Sequence, residues 1–159
     1  MVGNREHMRV LVTGGCGFVG SAVVRLAVER GDHVLNLDRR KKNAPVPALG
    51  PAAQREGYAR LEADVTDRAM IRAILREFSP DAVIHLAACG DDDPNALMDA
   101  EIGGAFAVIE AARQYYERLQ GETRKRFRIV HLERAEGDIP EKLTRAQAAR
   151  GAAAVLLDR

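Results

Sequence analysis

Apolar runs of five or six residues alternate along this chain with longer stretches of helical period, the pattern of successive strand–helix units that feed a parallel sheet. The runs predict strands at residues 9–13 (RVLVT), 33–38 (HVLNLD), 58–62 (YARLE), 82–86 (AVIHL) and 127–132 (FRIVHL). After the first run, Phe18, Val19, Ala22, Val23, Leu26 and Ala27 recur so that one face of a helix can lie on the sheet before the chain turns near Gly31. Asp67 opens a second helix through Phe78, stopped by Ser79-Pro80 because proline cannot continue the hydrogen-bond ladder. Pro94 suits the first turn of a third, long helix reaching about Leu119, and the alanine-rich residues 141–157 predict a last one. Residues 39–57 hold three prolines and two glycines with little periodicity and read as a long surface loop; residues 1–7 read as a polar leader. The expectation is one doubly wound α/β domain over residues 1–159, with no internal repeat and no second domain for a substrate.

Composition narrows the partners. A 159-residue chain that is 47% hydrophobic can build a real core, and a net charge of +1 supplies no field that would gather nucleic acid or an anionic membrane. No run of 18 apolar residues and no apolar leader is present, so neither a membrane span nor a signal peptide is expected, and the location expected is cytoplasmic. Cys16 and Cys89 are too few for a disulfide framework and lack the spacing of a zinc site, so no metal is expected.

The chemistry concentrates just after the first strand. Gly14, Gly17 and Gly20 form GxxGxxG, while Gly15, Gly17 and Gly20 satisfy GxGxxG, between a predicted strand and a predicted helix. In that context glycines serve a tight turn, close approach of backbone to a pyrophosphate, and close packing of helix on strand, with the anion at the helix N-terminus. Asp38, at the end of the second strand, can accept hydrogen bonds from both ribose hydroxyls of an adenosine, which favours NAD. The cations that follow, Arg39, Arg40, Lys41 and Lys42, could take the 2′-phosphate of NADP, but Asp38 would repel it.

With these features, Asp64-Val65 after the third strand, HLAA at 85–88, EAARQYY at 110–116 and RFR at 126–128, the sequence resembles the extended short-chain dehydrogenase/reductase (NAD-dependent epimerase/dehydratase) family from about Met8 to Asp138. The likeness is to the amino-terminal half of nucleotide-sugar enzymes of the dTDP-glucose 4,6-dehydratase type. It implies a Rossmann-type sheet of about five strands in the order 3-2-1-4-5. It also implies that Gly14, Gly17 and Gly20 hold the pyrophosphate, with Phe18 and Val19 among the cofactor-binding residues, Asp38 the adenosine ribose, Asp64 and Val65 the adenine, and that Ala87 and Ala88 line the floor beside the cofactor ribose.

The resemblance fails at the catalytic positions. The family uses a tyrosine and a lysine four residues later, and Leu143 and Gln147 stand there. Leu132, Glu133 and Arg134 replace the serine or threonine and the acid pair that follow the fifth strand, and Glu101 replaces an asparagine. Glu133, Cys89 and Glu101 remain as candidates for unconventional chemistry. Cys16, at a helix N-terminus, could carry a lowered pKa, although both cysteines also serve as small packing residues. His85 reads as a satisfied core histidine, His131 with Glu133 as an incomplete relay, Asp91, Asp92 and Asp93 as a solvated loop, and TRKRFR at 123–128 as a solvated approach to a strand. Three readings stay open. One is a catalytically silent NAD binder acting as sensor, partner subunit or scaffold, expected to pair with itself through its third and last helices or with a partner enzyme chain. The second is an active oxidoreductase or dehydratase on a nucleotide sugar, using unconventional residues or a partner chain. The third is a Rossmann scaffold that binds no cofactor.

Overall fold

In the computed structural model, which describes residues 7–40, 45–87 and 99–132, the first apolar run becomes the central strand. This strand, β1 (Arg9–Thr13), pairs in parallel with β2 (His33–Asp38) on one side and with β4 (Ala82–His85) on the other. The outer positions belong to β3 (Tyr58–Glu62), beside β2, and β5 (Arg128–His131), beside β4, which completes the expected order β3-β2-β1-β4-β5. Burial follows position. Every residue of β4 is buried, as continuous apolar runs in covered parallel strands should be, whereas the edge strands β3 and β5 are largely exposed.

Alternation along each strand divides the core in two. Val10, Val12, Val34 and Ile84 face one layer, filled by Val23, Val24 and Ala27 of α1 (Phe18–Glu29). Leu11, Leu37 and Val83 face the other, filled by Ile71 and Leu75 of α2 (Arg68–Phe78) and Val108 and Ala111 of α3 (Ala105–Arg118). Helices therefore cover both faces of the sheet, the doubly wound arrangement.

Four local expectations are corrected. Part of the predicted surface loop forms 3₁₀ turns over Pro47–Gln54, kinked at Gly50; its buried Leu49 and Ala52 join the α1 layer, so two apolar side chains prevail where the prolines had hidden any period. The described part of the third helix begins with a π-helical turn, Asp99–Gly104, and only then becomes regular; Pro94 lies outside the described residues. Most of the basic run at 123–128 is a short exposed helix, α4 (Gly121–Arg126), which opens at Gly121 with φ 56° and carries a Glu122–Lys125 pair at 2.7 Å. Finally, β4 ends at His85, where the Leu86 N–H makes the last ladder bond to the Thr13 carbonyl, and β5 begins at Arg128 because the Phe127 N–H closes α4 on Thr123. The leader up to residue 6 and the predicted last helix lie outside the described residues.

Candidate functional site

Strand order reverses about β1, whose connections leave toward β2 on one side and whose other neighbour is β4, and crevices in such sheets open at the carboxyl ends of the strands on either side of that reversal. Thr13 stands opposite Leu37 in β2 and His85 in β4, so the chain that follows it lies over the crevice. The Gly14 N–H donates to the Leu37 carbonyl at 2.8 Å and its φ is 72°, a conformation that suits glycine. A Cβ there would lie 2.7 Å from the Ala87 backbone, and one on Gly20 would lie 2.1 Å from the Gly14 carbonyl oxygen. Both glycines are thus required by approach of backbone to backbone, which brings the turn, the first turn of α1 and the end of β4 together. Gly17 caps α1 with no side-chain hydrogen bond, and no acidic residue occupies the helix's first turn. Its early N–H groups are left to an anion. Phe18 is exposed and Val19 half-buried at this mouth.

Asp38 closes β2 beside the turn. Its Oδ2 accepts the Cys16 N–H at 2.9 Å and its Oδ1 accepts the Arg40 N–H at 3.0 Å. The carboxylate is therefore fixed at the rim, with lone pairs remaining for hydroxyl donors. Across the rim, Asp64 Oδ1 accepts both the N–H and the hydroxyl of Thr66, at 2.9 and 2.8 Å, and the Thr66 N–H foremost holds the Asp64 carboxyl below the usual range. Val65 is buried, and Gly104 lets the start of α3 close on it: a Cβ on Gly104 would lie 2.7 Å from Val65 Cγ2. Ala87 is half-buried at the end of β4. Gly14, Gly17, Phe18, Val19, Gly20, Asp38, Asp64, Val65 and Ala87 thus border the carboxyl ends of the same sheet. Ala88, Cys89, Asp91, Asp92, Asp93, Glu133, Arg134, Leu143 and Gln147 lie outside the described residues, and Glu101 is placed only as part of the π-helical turn.

Cys16 is not an activated thiol. Burial first, then the Asp38 carboxylate, push its pKa up, so desolvation outweighs the helix N-terminus that was expected to lower it. Its sulfur rests 3.6 Å from Asn36 Nδ2 and from Arg60 Nη1, while Asn36 also donates to the Tyr58 hydroxyl at 3.0 Å. The sequence reading missed this support of the turn, although Asn36 and Asp38, two apart on one strand, had to share a face.

Thr13 was missed as well, and it ties β1 to β4. Its hydroxyl oxygen accepts the Leu86 and Ala87 N–H groups, each at 3.3 Å, and lies 2.6 Å from His85 Nδ1. The Leu86 N–H is shared between this oxygen and the Thr13 carbonyl, 3.1 Å away, and the hydroxyl and Nδ1 are joined by one hydrogen bond. The imidazole is fully buried, and its Nε2 has no hydrogen-bond partner among the described residues. Burial, aided by the His131 ring stacked at 5.0 Å, lowers its pKa from 6.5 to about 4. A neutral, enclosed imidazole locks the end of β4 and is no proton donor at neutral pH.

The residues present fit a dinucleotide: a turn with no room for side chains, an uncapped helix start, and a fixed carboxylate at the next strand end. The family described as NAD dependent epimerase/dehydratase matches residues 10–136. The dTDP-glucose 4,6-dehydratase of Shigella flexneri is 38% identical over 141 residues, covering 84% of this chain and 39% of that enzyme. Among solved structures, the Bordetella bronchiseptica enzyme WbmG in complex with NAD and UDP superposes with a TM-score of 0.68 at 23% identity, over 99% of this chain and 52% of its own. The Thermus thermophilus UDP-glucose 4-epimerase complex with NAD gives a TM-score of 0.59 at 26% identity, over 95% of this chain and 50% of its own. The chain thus spans about two fifths of the length of the curated relative, at 39%. No helix among the described residues is long and apolar enough to cross a membrane.

Proposed function

The chain belongs to the NAD-dependent epimerase/dehydratase family, and from that membership we propose that it binds NAD in this crevice without turning over a nucleotide sugar. The observation that carries the binding is the glycine turn: Gly14 and Gly20 meet backbone where a side chain would stand, at the mouth of a helix with no cap of its own. The N–H groups around Gly17, Phe18 and Val19 hold the pyrophosphate, Asp38 accepts from the adenosine ribose, Asp64 and Val65 border the adenine, and Ala87 with Ala88 floors the other half. Asp38 excludes a 2′-phosphate by charge, so NAD is preferred over NADP. Bound there, NAD would supply a hydride acceptor.

Turnover needs a proton acceptor beside that cofactor, and Leu143 and Gln147, where the family's tyrosine and lysine belong, cannot act as one. Loss of general-base help costs roughly 10²–10⁴ in rate. The role that remains is a sensor, a partner subunit or a scaffold whose state NAD sets. The partner is a second copy: Ile102, Phe106 and Ile109 form an exposed stripe about α3, which a matching helix would cover.

The test is calorimetric titration with NAD, followed by absorbance at the reduced-nicotinamide band with dTDP-glucose and other nucleotide sugars. Saturable NAD binding with no absorbance change and no product is expected. Absence of binding overturns the cofactor reading and leaves a scaffold, whereas product formation overturns silence and directs attention to Glu133, Cys89 and Glu101.

A further inference from the structure

A second concave site lies between the later halves of α2 and α3. These halves lead to the amino ends of β4 and β5, so the groove sits away from the glycine turn. Arg68, Arg72 and Arg76 follow at four-residue spacing and form a ladder along one side of α2. Like charges at that spacing oppose the helix unless something answers them. The facing helix answers only the first, since Arg68 lies over the Phe106 ring, 5.0 Å from its centroid, and close enough to Glu110 to act on its charge. Both nearby carboxylates of α3 are engaged elsewhere: Arg113 binds Glu110 at 2.7 Å and also binds Glu117. Among the described residues no carboxylate pairs with Arg72, Arg76 or Arg118. Those three arginines, with Gln114, Tyr115 and the buried Ala111, line a groove of about 120 Å³.

We propose that this groove binds a phosphoryl group, independently of the cofactor crevice. A chain of net charge +1 has no general excess of cations, so three arginines about one small hollow are a local feature. Guanidinium forks match phosphate oxygens in pairs, and a terminal phosphoryl group offers three such oxygens where a carboxylate offers two. Occupancy would also relieve the repulsion between Arg72 and Arg76, so the ligand should stabilise α2.

The test is nuclear magnetic resonance titration of the ¹⁵N-labelled chain with inorganic phosphate and, in parallel, with glucose 1-phosphate, at ionic strength held constant with chloride. Saturable shifts at the amides and side-chain Nε of Arg72, Arg76 and Arg118 are expected, and the tighter of the two ligands tells free phosphate from a phosphate ester. The double variant Arg76→Gln, Arg118→Gln should weaken binding by roughly tenfold or more. Its circular dichroism and its response to NAD should be unchanged, because these exposed side chains support neither the core nor the crevice. Shifts confined to residues 14–20, shifts that never saturate, or an unaffected double variant would overturn the proposal. So would binding of a polyglutamate peptide without binding of phosphate, which would make the groove a protein-docking surface.

Discussion

Both carboxylate oxygens of Asp38 accept backbone N–H groups, so this residue shapes the glycine turn before it meets any ligand. Replacement by alanine removes a charged acceptor for the ribose and releases the Cys16 N–H. NAD affinity should fall by an amount on the order of 1–3 kcal/mol, measured by calorimetry, while NADP loses less or gains. Equal NAD binding by both proteins would remove Asp38 from the site. His85 makes a different prediction, in stability. Its folded pKa of about 4 lies below the unfolded 6.5, so the fold prefers the neutral ring. The stability this preference supports is fully present above pH 6.5 and drains away as pH falls toward 4, by roughly 3 kcal/mol in all. Urea titrations across that range should show the gap between the wild type and His85→Gln narrowing as the solution is acidified. A gap that stays constant would mean that the imidazole is not held neutral.

The elements owe their ends to single groups. Asp67 accepts the Met70 N–H at 3.0 Å and caps α2, so Asp67→Ala should cost about 1 kcal/mol of stability in denaturant titration without touching the crevice. An unchanged midpoint would show that packing of Ile71 and Leu75 alone sets where the helix begins. At its other end Ser79 takes a left-handed conformation, φ 49°, and Pro80 prevents continuation, which is the stop the Ser-Pro pair implied. α1 differs in having no side-chain cap. Its start is held by the Gly17 N–H on the Gly14 carbonyl and the Ser21 N–H on the Gly17 carbonyl, at 3.0 and 2.9 Å, and this arrangement leaves the earlier amides for an anion.

At the scale of the molecule, two well-covered faces contrast with two open flanks. Ile129 on the edge strand β5 and Ile102, Phe106 and Ile109 about α3 all stay exposed, Ile102 by 63%. A second copy packed along α3 would bury that stripe. Sedimentation at tens of micromolar should therefore report a dimer, and Ile109→Lys, on an exposed position that leaves the core intact, should weaken it. A monomer in both proteins would remove the dimer and leave α3 open to another partner.

The strands, the glycine turn and Asp38 were legible in the chain because each depends on local rules: apolar runs of strand length, glycines at fixed spacing, and a carboxylate at a strand end; the sheet order came from the family resemblance, since which strands pair is a non-local property. The same locality shows that Leu143 and Gln147 are not an acid–base pair, since no fold gives leucine a proton to exchange. What required tertiary structure was every property set by neighbours distant in the chain. Thr13 and His85 are 72 residues apart, and only their pairing in adjacent strands encloses the imidazole and lowers its pKa. Cys16 stood where a helix N-terminus favours a thiolate, yet burial and Asp38 decided otherwise. The helix Gly121–Arg126 and the 3₁₀ turns at Pro47–Gln54 escaped because segments so short carry too few apolar positions to show a period, and contact with the rest of the fold determines them. The arginine groove has the same origin: the ladder on α2 was in the sequence, but Arg118 joins it only because α3 packs alongside.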